Sequence, residues 1–461
     1  MTSSVKGVGL GLAVAALFVA GCSSEGDGLG APEVNAASSP LSATTEDSAV
    51  SLTGAPPTTL IEGTDPVDAP VTNAPPALGD SYVDPVFGTT IHRSTGASQV
   101  EDRELPEWVR HEYSRRPAFN AEGTRVLMTS SNGWLRLYNV ADDGSMTFDH
   151  TPPIATSREA NWHPSDPDVF TVLGNGNGDV ALWDYDASVH ELTSQSDLMG
   201  PLQAAFGSGV SSITTRAEGR PSTDGNTWCL MVADPSGSML GIAAYDRANA
   251  ELLGSLAATD QPDHVSTSAS GDYCVVSWAG DISSTRAYPV TFDEDSAAGG
   301  VELLSASEHS DTASTLEGQD VLVAADFTSG FVIMVDVVNG ERTNLFSLYG
   351  PNSSATSLHI SGVATERPGW VVVSFYNCRD NTQAQGCAPD TQWFNERVVA
   401  VELAKAPRIL NLAHNYYGDA GYFAETQAVP NRDLSQVLFA STWESTNIVD
   451  VASYLIDVPD F

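Results

Sequence analysis

Apolar residues along this chain fall in short runs, each preceded by a polar turn. The stretch AFNAEGTRVLMTS (118–130) shows the pattern: a small or aromatic residue, a turn containing Gly123, then an apolar run. It recurs as NWHPSDPDVFTVLG (161–174), PSTDGNTWCLMVA (221–233), STSASGDYCVVSW (266–278), DTASTLEGQDVLVAA (311–325), SGVATERPGWVVVSF (361–375) and AVPNRDLSQVLFAS (428–441). Asp, Asn, Gly, Pro and Ser supply the backbone angles of tight turns, and the β-branched and aromatic runs after them suit buried strands. A second strand follows most copies, as in GWLRLYNV (133–140), GDVALWDYD (178–186) and FVIMVDVVNG (331–340). A period of about fifty residues with short strands is the signature of propeller blades. The seven copies predict an all-β, seven-bladed β-propeller over residues 81–461.

The two ends of that domain explain each other. The segment SYVDPVFGTTIHRST (81–95) reads as strand but precedes the first full repeat, while the last copy stops after NIVDVASYLIDV (447–458). The last blade therefore lacks an outer strand, and the N-terminal segment is expected to supply it, removing an exposed sheet edge.

Residues 1–21 read as a signal peptide, with Lys6 ahead of the apolar run VGLGLAVAALFVA (8–20). Residues 22–80 are predicted to be a disordered linker: positions 23–80 hold nine acidic residues, no basic one and few large apolar ones. Such a composition buries too little surface to offset the entropy of ordering.

Charge narrows the function classes. With 59 acidic residues against 20 basic ones, the formal net charge is −39. That field opposes nucleic acid and direct adhesion to anionic lipid. Of the cysteines beyond the leader, Cys378 and Cys387 bracket a short loop and are expected to form a disulfide. Cys229 and Cys274 lie on corresponding strands of consecutive blades. Sheets packed at about 10 Å are too far apart for a bridge needing Cα atoms near 6 Å, so two buried thiols are expected there.

No G-x-S-x-G, P-loop or H-E-x-x-H motif occurs. Histidines carry more information. His264, His309 and His359 precede their turn glycines by 7, 9 and 10 residues, which places them at the start of inner strands on one rim of the channel. His111 is expected near the same rim. Converging imidazoles could bind a metal or move protons, or each could bond locally within its strand. In RHEYSRR (110–116), Arg110, Arg115 and Arg116 form the densest positive cluster, with His111 and Tyr113 among them. Arginine forks suit carboxylate or sulfate, and a tyrosine–histidine pair can handle a proton. Pairing of the same arginines with nearby carboxylates such as Glu107 and Glu112 is the alternative.

Two resemblances add to this reading. Val19-Ala20-Gly21-Cys22 resembles the lipobox of bacterial lipoproteins, which implies lipidation at Cys22 and anchorage to a membrane. Ser23 and Ser24 resemble the outer-membrane sorting pattern, facing periplasm or cell surface. The repeats resemble TolB-type and WD-like bacterial propellers, and EHSD (308–311), LHISG (358–362) and QAVPNRD (427–433) are similar to the oligogalacturonate lyase branch. That resemblance implies a divalent metal (manganese, calcium or zinc) held by His309, His359 and Gln427, with His264 and Arg116 near the substrate. The expected function is binding of an acidic polysaccharide, with cleavage by β-elimination. The alternative is a non-catalytic protein-interaction scaffold of the cell envelope.

Overall fold

Seven antiparallel sheets follow one another along the chain, at residues 109–150, 160–197, 212–257, 262–304, 310–347, 357–414 and 429–457. They are numbered here as blades 1 to 7. The computed structural model describes residues 59–67, 74–100, 105–174, 178–279, 283–293, 299–349, 356–376 and 393–461. Blades 1 to 5 each hold four strands in consecutive order, as the repeats predict.

Blade 7 closes the ring in the expected way. Its chain-terminal strand, Ala452–Asp457, pairs with Thr90–Arg93 from the N-terminal side, and Ser81–Val83 adds a further strand outside that. The first and last parts of the domain thus share one sheet. Part of the stretch read as linker also lies on the ring. Ile61–Glu62 pairs with Ile409–His414 of blade 6, Asn411 donates to the Ile61 and Gly63 carbonyls, and Arg397 donates to the Asp65 carbonyl. Residues 1–58, including Cys22, lie outside the described residues.

The core is a set of apolar layers between neighbouring blades. Because side chains alternate across a strand, one strand feeds two layers. In Asp320–Asp326, Leu322 and Ala324 pack toward blade 4, while Val321, Val323 and Ala325 pack toward blade 6. Burial on both faces explains why these strands read as continuous apolar runs rather than alternating ones.

The cysteine expectation needs correction. Cys229 and Cys274 form a disulfide between blades 3 and 4, with Cα atoms 5.6 Å apart. The 10 Å spacing holds where full side chains fill the gap, but blades converge toward the axis and small residues let them close. Gly271 shows this: at φ +89° it presses against blade 3 so closely that a Cβ would lie 2.8 Å from Thr227 Oγ1. Cys378 and Cys387 lie outside the described residues.

Inner strands of blades 1 and 3 are interrupted. In blade 1, Val109–Arg110 pairs with the second strand, and pairing resumes at Phe119 with Val126. In blade 3, Ser212–Thr214 pairs, and Ser222 rejoins through its bond to the Thr227 carbonyl. The intervening residues 111–117 and 215–221 fold into the channel.

Candidate functional site at one mouth of the channel

The segment 111–117 crosses the channel and meets the inner strands opposite. Tyr113 brings its hydroxyl to 3.5 Å from His309 Nδ1 of blade 5, and its ring centroid to 5.3 Å from His359 of blade 6. The two histidine rings stand edge to face at 4.6 Å, and Tyr376 stacks on His359 at 4.9 Å. Burial pushes the His309 pKa down to about 3, helped by His359 and Arg115, and carries His359 well below the usual imidazole range. Both rings are therefore neutral near pH 7. His359 Nε2 donates to Glu425 at 2.8 Å, which leaves Nδ1 as a buried lone pair with no hydrogen-bond partner. Burial raises the Glu425 and Tyr113 pKa values, and the Glu218 carboxylate adds to the rise at Tyr113. The Tyr113 hydroxyl thus keeps its proton.

The arginines divide into one at the mouth and others beneath it. Arg115 pairs with Glu218 at 3.0 Å and donates to His264 Nε2. Arg116 is buried and donates to the Ala160 and Gly219 carbonyls, with Glu112 at 3.4 Å and Glu159 at 3.8 Å. Arg110 donates to Gln427 Oε1 at 2.6 Å and to the Phe423 carbonyl at 2.8 Å. Its pKa falls to about 10 through burial. His111 bonds the Gln427 carbonyl and is held neutral by burial. Deeper in the channel Arg220 bridges four blades. It reaches Asp311 at 2.6 Å, the Thr312 and Gly362 carbonyls, and the Arg115 carbonyl.

The structure therefore brings Tyr113, Arg115, His264, His309 and His359 to one mouth. Arg110, His111 and Arg116 sit below as struts, and of the carboxylates named in the pairing alternative Glu112 meets Arg116. Four further residues, Glu218, Asp263, Tyr376 and Glu425, belong to the mouth and were not picked out from sequence. Asp263 and Glu425 carried a usable signal, since each lies within two residues of a residue already singled out, His264 and Gln427 respectively. Glu218 carried none, because it sits on an interruption of the repeat. Beside the mouth, Tyr422 and Phe423 expose nearly half their surface, 47% each.

The opposite mouth differs. A pocket there is lined by Phe119, Trp162, Pro221, Asn161, Arg220 and Arg432, among others. It contains none of the mouth residues named above.

A seven-bladed β-propeller with a polar, histidine-bearing mouth is the class these observations define. No family model matches the sequence, and no curated protein does. Among solved structures, the fold is similar to an oligogalacturonate lyase in complex with manganese, at 11% identity and TM-score 0.54. The likeness covers 83% of this chain and 96% of that one. A mitotic checkpoint complex chain is also similar, at 11% identity and TM-score 0.40, covering 80% of this chain and 97% of that one. The lyase likeness establishes the fold.

The manganese in that neighbour prompts a test of fit. His359 offers a free Nδ1 lone pair, but the Gln427 side-chain oxygen Oε1 is taken by Arg110. His309, His359 and Gln427 as placed do not make a complete donor set. A different group comes closer: Glu218, Asp263 and His264 bring their ligand atoms within 4.8 Å of one another.

Proposed function

We propose that this propeller binds an acidic polysaccharide at the histidine mouth and cleaves it by β-elimination. The observation that carries the reading is the meeting of Arg115, Tyr113 and the neutral imidazole of His309 at one mouth. β-Elimination from a uronide needs three things: a cation beside the carboxylate, a base for the proton on the adjacent carbon, and an acid for the leaving oxygen. Arg115 supplies a guanidinium fork for the carboxylate. His309 accepts the proton from the carbon next to the carboxylate, the C–O bond one carbon further breaks, and a carbon–carbon double bond forms between them. Tyr113, whose hydroxyl stays protonated, delivers a proton to the leaving oxygen. Arg116 takes no part, since its guanidinium is spent on carbonyls and carboxylates below. His264 holds Arg115 in position. A divalent cation near the mouth would add positive charge beside the carboxylate.

The same proposal places the protein on the outer membrane through lipid at Cys22, facing periplasm or surface. A second reading, a protein-interaction scaffold, draws on the exposed Tyr422 and Phe423 rings beside the mouth. Aromatic side chains of this kind are enriched at binding surfaces.

The deciding experiment is incubation with polygalacturonate, following the absorbance of unsaturated uronide. Tyr113→Phe and His309→Gln should abolish the signal while retaining glycan binding, and Arg115→Ala should lose both. Absence of both binding and absorbance in the wild type refutes the glycan reading and leaves the scaffold.

A further inference from the structure

Three side chains at the rim carry a feature that the glycan reading does not use. His264 is 3% exposed, and its Nδ1 is buried without a hydrogen-bond partner. That nitrogen faces Glu218 at 3.5 Å and Asp263 at 3.6 Å. Both separations exceed a good N–H···O bond. They match the spacing of two ligands on one ion, because bonds of about 2.1 Å at a tetrahedral angle put ligand atoms about 3.4 Å apart. The chain is built to hold this arrangement. Gly219 follows Glu218 and passes so near blade 4 that a Cβ would lie 1.8 Å from the Val265 carbonyl oxygen, so no other residue lets the loop approach. Asp263 is steadied by Ser307, which donates to it at 3.1 Å. Such outer partners orient ligands in metal sites.

Arg115 sits against the same group. Its guanidinium donates to His264 Nε2 and lies 3.0 Å from Glu218. A guanidinium has donors only. The imidazole nitrogen facing it must therefore present a lone pair, and the ring proton resides on Nδ1. A cation bound at Nδ1 needs the lone pair there and moves the proton to Nε2, where an N–H would confront the guanidinium N–H. Cation and guanidinium cannot share the ring.

We propose that Glu218, Asp263 and His264 form a divalent-cation site for which Arg115 is the built-in competitor. One imidazole with two carboxylates suits manganese or zinc better than calcium, which prefers all-oxygen sites. The site is separate from His309, His359 and Gln427, and it does not depend on glycan cleavage.

Manganese is the better probe, because it favours the oxygen and nitrogen donors of this group over sulfur. Metal-free full-length protein is titrated with Mn²⁺, reading the free ion by electron paramagnetic resonance. Arg115→Gln should bind at least tenfold tighter than wild type, and adding His264→Gln or Asp263→Asn should abolish that gain. Equal affinity of wild type and Arg115→Gln overturns the proposal, nil binding in both included. So does a gain that survives His264→Gln. Should Arg115→Gln fail to fold, wild type is compared with Asp263→Asn. A tenfold loss supports the site, and equal uptake, nil included, overturns it.

Discussion

The two mouths of the channel are formed by the same seven inner strands, yet they share little chemistry. Where the strands begin, neutral histidines, Tyr113, Arg115 and three carboxylates converge. Where the strands end, polar turns repeat from blade to blade around a pocket walled by Phe119, Trp162 and Pro221. The turns bond to themselves: Asn120 Oδ1 receives the Arg125 N–H, Ser222 Oγ the Thr227 N–H, Ser268 Oγ the Tyr273 N–H, and Asn431 Oδ1 the Gln436 N–H. One end repeats because every blade must turn there. The other varies because folding asks little of it, and side chains there are free to serve a ligand.

The largest expected effect comes from breaking the partition between the two ends. Arg220 lies between them, and its partner Asp311 is almost fully buried. Arg220→Met would strand that carboxylate and free the Thr312 and Gly362 carbonyls. Leaving one member of a buried ion pair alone costs about 3–5 kcal/mol. Urea unfolding should show a loss of that order, and glycan binding should weaken as well, since Arg220 also holds the Arg115 carbonyl. A loss below about 1 kcal/mol would mean the ends are built independently.

A smaller effect should stay at the turn end. Cys229→Ser removes the bridge between blades 3 and 4, which closes 45 residues of chain. Disulfides of this kind contribute about 2–4 kcal/mol. Unfolding should shift accordingly in the oxidised protein, with uronide cleavage at 25 °C unchanged. A change in cleavage without a change in stability would contradict the division.

This division also decides what could be read from the sequence. The blades, their number and the closure by Thr90–Arg93 were legible because turn residues and apolar runs repeat, and a missing outer strand leaves a countable gap. The histidines were singled out for the same reason: His264, His309 and His359 keep similar offsets, 7 to 10 residues, from a repeating turn. Arg115 and Arg116 were adjacent in sequence and indistinguishable there. Only the fold of segment 111–117 separates them, turning one to the mouth and the other onto carbonyls of blades 2 and 3. The disulfide was misread because a spacing typical of packed sheets was applied where blades converge. Glu218 was invisible because it lies on an interruption, and interruptions break the register that made everything else readable.

The last effect is the smallest and comes from the histidine end. His309 has its pKa lowered in the folded protein to about 3, whereas an unfolded chain would titrate near about 6.5. As pH falls below about 6.5, the unfolded state takes up a proton that the native state refuses. Stability from this group is thus complete above that pH and declines through the window down to about 3, by at most about 1.4 kcal/mol per pH unit. Glu425 works the other way, because its raised pKa lets the native state hold a proton that the unfolded chain has lost, offsetting part of the decline near its own range. Carboxylates elsewhere with lowered pKa values, such as Asp84, also lose stability in acid, but they do so equally in any mouth variant. The informative quantity is therefore a difference. Urea unfolding of wild type and His309→Gln at pH 7, 6 and 5 should give a shallower decline in the variant, with the two curves converging toward acid. Parallel curves would show that His309 is not held neutral by the fold, and the base assigned to the mouth would lose its physical ground.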